Sequence, residues 1–550
     1  MIRKQLEEGI RRAWRAVLGE RTPAEGNLFF VVERQTRGEF GDYASNVALV
    51  GAKVWGGKPR DLAEALRAAV DLGPGKIDRI EVAGPGFLNF FLHDQWLRET
   101  LREIVAQGEN FGRYLGPRKG KVQVEFVSAN PTGPLTVGHG RNAVLGDSIA
   151  RLLEWTGWKV VREYYFNDAG RQMRLLAESV RARCGELLGR KVEFPEEGYQ
   201  GQYIWDIARQ LVAEEGEKVW ERDWSYFKQR AEAAIFEDIK ATLDRLGIRF
   251  DVFYNEQTLY DEGKVDEVIA ELRRRGYVYE KEGALWFQAT ALGLEQDRVM
   301  VKSTGEPTYR LPDIAYHREK LRRGFDRIIN VLGADHAAEA PDVLAGLRAL
   351  GYDPKPIEVV FYQFVTLTRG GQQVRMSTRR ANFVTMDELL DEVGPDVARY
   401  FFLLRSASSH IEFDLDLAKE QSEKNPVYYV QYAHARICSI LRQPEADRMW
   451  SREDLGPLEQ LTHPAERTLL KALVAFPEEV EEAAKRREPH RLTRYAQELA
   501  TEFHNFYTQC RVLDRRNPAL SRARLSLVQA TRTVLRSTLG LLGVGAPERM

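Results

Sequence analysis

Cysteine is scarce, with three in 550 residues, and Cys184, Cys438 and Cys510 stand far apart. No pair has CxxC or zinc-ligand spacing, so neither a disulfide framework nor a structural zinc site is expected. Long apolar runs are missing too: none approaches the roughly 20 residues that cross a bilayer. There is no internal repeat and no low-complexity linker. The opening stretch, MIRKQLEEGIRRAWRAVL, is charged and helically spaced. It lacks the apolar segment of a signal peptide and reads as the first helix of a cytoplasmic protein. An excess of one charge is also absent, since 80 basic residues face 81 acidic ones for a net charge of −1. Such a balance neither demands nor excludes a polyanionic partner, because local distribution decides. From Lys485 to Met550 there are 13 Lys/Arg against 5 Asp/Glu, so the C-terminal end carries +8. That is either a solvated helix face or a polyanion surface.

What is present fits a multidomain α/β protein. The length suggests three or four domains, and 43% apolar content is ordinary for a globular chain. Residues 1–110 read as a small α+β unit, in which IDRIEVAGPGFLNFFL is strand, tight turn, strand. Pro85 fixes φ there and Gly86 can take φ > 0. Residues 111–395 alternate strand and helix. KVQVEFVSA reads as an alternating strand, NPTGPLTVGHG as a turn, RNAVLGDSIARLLEWTG as a helix and WKVVREYYFND as the next strand. That order is a βαβ unit and implies a parallel sheet. Residues about 175–300 read as an insertion of helices with a short β segment. DRIINVLGADH and IEVVFYQFVTL then resume the sheet. Residues 396–550 are helical in pattern and read as a separate bundle.

Two short motifs carry chemistry. Thr136-Val137-Gly138-His139 sits at a strand-to-helix turn, where free N–H groups and the helix dipole favour phosphate. Gly138 and Gly140 let the backbone approach a ligand, and His139 can donate to a phosphoryl oxygen as charge develops. As a bare pattern it could be only a structural turn. About 235 residues on, Arg375-Met376-Ser377-Thr378-Arg379-Arg380 follows the Gly370-Gly371 pair. A loop with three arginines can close over a triphosphate, although a short basic loop alone is usually just solvated.

Together the two motifs resemble the paired nucleotide-binding motifs of class I aminoacyl-tRNA synthetases, written HIGH and KMSKS. Gly333-Ala334-Asp335-His336 is similar to a third element near the adenosine. EFVSANPTGPLTVGHGR, REYYFNDAGRQ, TYRLPDIAYH, RMSTRRANFVTMDELLDEVG and NPVYYVQYAHARI each resemble arginyl-tRNA synthetases. So do GDYASNVAL, EVAGPGFLN and the terminal Pro-Glu-Arg-Met, so the likeness spans the chain. It implies a Rossmann-type parallel-sheet catalytic domain with an insertion, an added N-terminal α+β domain at 1–110 and an all-α anticodon-binding bundle at 396–550. The implied reaction joins L-arginine and ATP into arginyl-adenylate, then passes arginine to the 3′ end of tRNA(Arg). In this family tRNA is needed for the first step, Mg²⁺ accompanies ATP without a protein cage of its own, and a monomer is expected.

The resemblance carries roles onto particular residues. Its arginine pocket falls on Asn130, Tyr309, Asp313 and Gln363, with Glu125 and Glu256 beside them. Asp313 lies four residues after Tyr309, on one face if both are helical. A bidentate, acidic site selects guanidinium over ammonium, because lysine leaves buried acceptors unpaired. Bland alternatives are a helix cap for Asp313, a strand acid paired elsewhere for Glu125 and a turn residue for Asn130. The ATP site falls on Thr136, Gly138, His139, Asn142, Gly333, Asp335, His336, Met376 and Ser377, and the catalytic roles on His139, Arg375, Arg379 and Arg380. His317 and His434 read as structural. Phe87 and Asn89, two apart on a strand, share a face and match a contact to the tRNA elbow. Tyr432 matches an anticodon contact.

Two departures stand out. Thr136 replaces the first histidine of HIGH and brings a hydroxyl without charge. Thr378 replaces the second lysine of KMSKS. Some arginyl-tRNA synthetases without that lysine carry one just before HIGH, but here that stretch is Thr132-Gly133-Pro134. The charge for the leaving pyrophosphate is therefore expected from Arg375, Arg379 or Arg380.

Overall fold

The computed structural model describes residues 1–19, 29–35, 40–374 and 384–550. The N-terminal unit is an antiparallel sheet of β1 (Val32–Arg34), β2 (Tyr43–Ser45), β3 (Ile77–Ala83) and β4 (Phe87–Leu92) in the order β1-β2-β4-β3. Around it lie α1 (Ile2–Leu18), α2 (Val47–Trp55), α3 (Pro59–Ala69) and α4 (Asp94–Gln107). Strand periodicity divides β4 cleanly. Leu88, Phe90 and Leu92 enter the hydrophobic core, while Phe87, Asn89 and Phe91 take the other face. Gly86, at φ 141°, makes the turn before β4.

The central sheet is fully parallel, in the order β12-β11-β5-β6-β7: β5 (Lys121–Glu125), β6 (Lys159–Phe166), β7 (Val252–Asn255), β11 (Arg327–Gly333) and β12 (Ile357–Tyr362). The chain runs outward from β5 through β6 to β7, then returns to lay β11 on the opposite side. The order reverses between β5 and β11, and in such sheets the crevice beyond the carboxyl ends at the reversal is where ligands bind. Helix α5 (Val137–Trp155) follows β5. It is buried on nearly every side, and Gly146 lets it approach closely, since a Cβ there would meet the Phe126 ring at 2.2 Å.

Between β6 and β11 lie α6 (Gly170–Leu187), α7 (Gln202–Glu215), α8 (Trp224–Arg245), α9 (Gln257–Asp261) and α10 (Lys264–Arg274). A small sheet, β10-β9-β8, follows, from β8 (Val278–Lys281), β9 (Ala284–Phe287) and β10 (Arg298–Val301), and then α11 (Arg310–Arg322). After α12 (Ala340–Ala349) and β12, a third sheet joins β13 (Val365–Arg369), β14 (Gln372–Gln373) and β15 (Ile411–Asp414). Helices α13 (Met386–Val393), α14 (Pro395–Phe402) and α15 (Leu415–Lys419) accompany it. The C-terminal bundle comprises α16 (Pro426–Leu441), α17 (Pro444–Met449), α18 (Pro464–Val474), α19 (Phe476–Arg486), α20 (His490–Gln509) and α21 (Pro518–Leu542). It holds the N-terminal unit through specific polar ties. The Tyr43 hydroxyl donates to Glu478 at 2.8 Å, and Arg467 donates to Asp94 at 2.6 Å. Among the described residues, no helix is long and apolar enough to cross a membrane.

The alternating segment at β5 is a strand as read, and its polar positions Gln123 and Glu125 are buried as well, because a central parallel strand is covered on both faces. Two readings of the sequence need correction. IEVVFYQFVTL, read as one strand, is two strands in two sheets, broken at Gln363 and Phe364. The Arg141 guanidinium occupies the break: it donates to the Gln363 carbonyl and, at 3.0 and 2.8 Å, to those of Ser406 and Ser409. Finally, β7 lies within the segment read as an insertion yet is the edge strand of the central sheet.

Candidate active site

Helix α5 begins at the crevice. Thr136 is its N-cap: the hydroxyl accepts from the His139 backbone N–H, and the His139 side chain accepts in return from the Thr136 N–H at 3.1 Å. This is a capping box with histidine in the reciprocal position. A backbone N–H can only donate, so Nδ1 of His139 is unprotonated and Nε2 carries the hydrogen. Burial pushes the imidazolium pKa down to about 4, so the ring is neutral near pH 7. The chain itself explains how Thr136 can stand in a histidine's place. His93 and His463 cap α4 and α18 with their ring nitrogens, so threonine and histidine are alternative N-caps here. Thr136→Ala is expected to cost about 0.5–2 kcal/mol of stability and Thr136→Ser much less, checked by thermal unfolding.

The two glycines of the turn do different work. At Gly138 a Cβ would meet nothing closer than the Thr136 Oγ1 at 3.7 Å, so this position leaves the helix start accessible. At Gly140 it would strike the Met386 Sδ at 2.2 Å, so Gly140 admits α13 rather than a ligand. The Met386 N–H donates to the Leu135 carbonyl at 2.7 Å, and Thr136 bridges Thr385. The chain beyond the arginine-rich motif is thus docked on the start of α5. Arg375, Met376, Ser377, Arg379 and Arg380 themselves lie outside the described residues.

Across the crevice, Gly333 ends β11 and is followed by a 3₁₀ turn, Ala334–Ala338, on which Asp335 and His336 are exposed. Asn142 is buried, and its amide stitches the two strand ends: it accepts from the Val127 N–H at 2.7 Å and donates to the Val331 carbonyl at 3.0 Å. Just after β5, Val127 has φ 67° and Ser128 φ 46°. A β-branched residue in the left-handed region is a genuine outlier and marks a backbone held under constraint.

Beside this phosphate side lies an acidic wedge. The Glu256 carboxylate accepts from the Tyr165 hydroxyl at 2.6 Å and from the Asn167 amide at 2.8 Å, and burial raises its pKa. Asp313, in the first turn of α11, is pushed up to about 7, first by burial and then by the charges of Glu256 and Glu125. Among the described residues, no Lys or Arg pairs with either. Glu125, by contrast, is paired with the buried Lys320. Asn130 is exposed and accepts from the Asn167 N–H at 3.0 Å. Tyr309 is 81% exposed at the start of α11, with helical backbone angles, and its carbonyl accepts from the Asp313 N–H at 3.3 Å, so the two residues are one helical turn apart as the spacing implied. Gln363 is half-buried at the strand break that Arg141 holds. His317 and His434 are both occupied by backbone carbonyls, those of Asp313 and Pro547, each at 2.8 Å. Lys320, Arg141 and Ser128 complete this neighbourhood and were not singled out by the sequence.

The residues expected from the sequence to face RNA lie elsewhere. Phe87 is 39% exposed while Asn89 is buried between β2 and β3. On the bundle, Tyr432 stacks on Tyr428 (6.1 Å, 7°) and His504 (6.3 Å, 28°), and Arg436 lies 4.7 Å above its ring.

Three family descriptions match in chain order: "Arginyl tRNA synthetase N terminal domain" over residues 2–92, "tRNA synthetases class I (R), catalytic domain" over 100–400, and "DALR anticodon binding domain" over 430–550. The chain belongs to the arginyl-tRNA synthetases. It is 51% identical to an arginine–tRNA ligase of Desulfotalea psychrophila, with both chains covered completely. It is 50% identical to one of Salinibacter ruber, over 99% of this chain and all of that one. The solved arginyl-tRNA synthetase of Thermus thermophilus matches over 100% of both chains with TM-score 0.78 at 26% identity. The Rossmann-type fold with an all-helical C-terminal bundle agrees with this membership.

Proposed function

We infer that this synthetase is an arginine–tRNA ligase, using ATP to activate L-arginine and transferring it to tRNA(Arg). One observation carries the amino-acid assignment: the Glu256 charge acts on Asp313, and among the described residues no Lys or Arg forms an ion pair with either carboxyl group. L-Arginine brings two cationic groups, a guanidinium and an α-ammonium. Asn130, Tyr309 and Gln363 at the rim complete the reading of the pocket, and Glu125 supports it from below.

The substrate carboxylate attacks the α-phosphorus of MgATP and pyrophosphate leaves. Positioning and charge stabilisation supply most of the acceleration. His139 offers a neutral Nε2–H, and Gly138 leaves the first N–H groups of α5 open to phosphate. Gly333, Asp335 and His336 are assigned to the adenosine side, with Thr136 and Asn142 holding the two walls in register and Met376 and Ser377 on the loop. Arg375, Arg379 and Arg380 supply charge to the departing pyrophosphate in place of the missing lysine. Exchanging all three for glutamine is expected to cut ATP–pyrophosphate exchange at least ~100-fold. An undiminished triple variant removes the loop from activation.

The reading extends to the tRNA. Residues 1–110 meet its elbow with the exposed Phe87, behind which Asn89 is buried on the same face of β4, and residues 396–550 meet the anticodon arm with the Tyr432 stack, suited to unstacked bases. The enzyme works as a cytoplasmic monomer and needs bound tRNA for activation. The decisive measurement is ATP–pyrophosphate exchange with L-arginine, with and without tRNA(Arg), and lysine as control. Exchange with arginine and tRNA together is the expected outcome. A folded chain that binds tRNA yet never exchanges is a non-catalytic RNA-binding relative.

A further inference from the structure

We propose that Lys320 is a positioning residue that sets the charge of the amino-acid pocket, cancelling Glu125 and fixing the backbone of Asp313 through Asn330 and His317. The inference rests on the pocket reading given above.

Lysine on a surface-patterned helix ordinarily faces water, but the Lys320 side chain is 0% exposed. Its ammonium donates to the Glu125 carboxylate and to the Asn330 Oδ1 at 2.8 Å, and lies 4.2 Å from the Tyr316 ring. The Asn330 amide nitrogen then donates to the His317 Nε2 at 2.8 Å. The His317 Nδ1–H donates to the Asp313 carbonyl at 2.8 Å. The donor sense is forced at each step: Asn330 accepts through oxygen, so it donates through nitrogen, and a carbonyl can only accept. His317 is therefore neutral, in keeping with a pKa pushed down to about 3 by burial and by Lys320. A chain of fixed sense runs from the ammonium to the residue that meets the substrate.

The same ammonium settles the charge balance. Glu163, beneath the wedge, is matched by Arg323 in a two-point contact at 2.7 Å. Glu125 is matched by Lys320. Glu256 and Asp313 then remain for the two cationic groups of arginine. Without Lys320, a third carboxylate enters the wedge. The groups that face Asp313 are Glu125 from β5, Glu256 at the start of α9, Glu339 at the start of α12, and Lys320 and His317 on its own helix. Tyr165 from β6 and Tyr260 from α9 sense the same field. Burial first, and then all three glutamates, hold a proton on Asp313, and Lys320 is the cation that opposes them.

The test is the pH dependence of kcat/KM for L-arginine in aminoacylation by the full chain, which reports groups of the free enzyme. In Lys320→Met the midpoint moves up by roughly half to one unit, as expected for loss of a nearby opposite charge. The KM for arginine rises about two- to fivefold at pH 7, and the KM for ATP stays within about twofold. In Glu125→Gln, which leaves the ammonium uncancelled, the midpoint moves down. The double variant returns it towards the parent. Glu125→Gln keeps an amide oxygen to accept from the ammonium, and replacing both partners of a buried pair is commonly neutral for stability, so the Glu125→Gln and double variants carry the test if Lys320→Met does not fold. A folded Lys320→Met or Glu125→Gln protein with an unmoved midpoint overturns the proposal, as does a double variant that keeps a single variant's shift. Asp313→Asn separates the two levels. If that change leaves arginine kinetics intact, the pocket reading fails. If it abolishes arginine use while the Lys320 and Glu125 variants shift nothing, only the present inference fails.

Discussion

Asp313→Asn removes arginine as a usable substrate: kcat/KM for L-arginine falls by two to three orders of magnitude, while the KM for ATP stays within about threefold. Truncating one side of a desolvated, hydrogen-bonded charge pair costs roughly 2–5 kcal/mol, and each 1.4 kcal/mol is a factor of ten. The loss is specific because asparagine preserves shape and removes only the charge. The fold survives, with a sign that can be worked out. The Asp313 carboxyl sits near 7 in the folded protein, above the unfolded value of about 3.9. The folded state therefore binds more protons between those values, and stability falls as pH rises through that window. Asp313→Asn abolishes that fall, so at pH 8 its melting temperature is no lower than the parent's. Added L-arginine raises the parent's melting temperature more at pH 8 than at pH 5.5 and leaves the variant's unmoved. A variant that binds arginine normally takes Asp313 out of the pocket.

The part of this site legible in sequence is the part written locally. Pro131, Gly133 and Pro134 make the turn between β5 and α5, Thr136 caps, and apolar spacing carries α5 to Trp155. All of that is contained in a few dozen consecutive residues. What stayed hidden depends on pairs far apart in the chain. Lys320 looks like a solvated lysine until Glu125, 195 positions away, is laid beside it by the β5–β11 pairing and the packing of α11. The strand break at Gln363 has no turn residue to announce it. Its cause is Arg141, 222 positions earlier. β7 offers only four residues, VFYN, too short for a period to declare itself. Glu125 had two readings in the sequence, a pocket acid or a strand acid paired elsewhere; the structure pairs it with the buried Lys320, and it is the identity of that partner that local sequence does not carry.

His139 provides the second large effect, and its geometry says which substitution rescues it. The Nδ1 atom is occupied by the Thr136 N–H, so the group available to a phosphoryl oxygen is the Nε2–H. His139→Ala is expected to lower the rate of arginyl-adenylate formation about 10²- to 10³-fold, the usual cost of removing one donor from developing negative charge. His139→Gln places an amide nitrogen near the position of Nε2 and recovers part of that loss. His139→Asn places its amide near Nδ1 and behaves like alanine. The ring is held neutral by burial, with a pKa of about 4. The pH–rate profile between 6 and 8 therefore carries no step from His139, and any inflection there follows Asp313. Single-turnover adenylate formation across that range, in the parent and the three variants, checks both statements. If asparagine rescues and glutamine does not, the donor is Nδ1, and the capping role of Thr136 no longer explains how threonine serves in place of histidine.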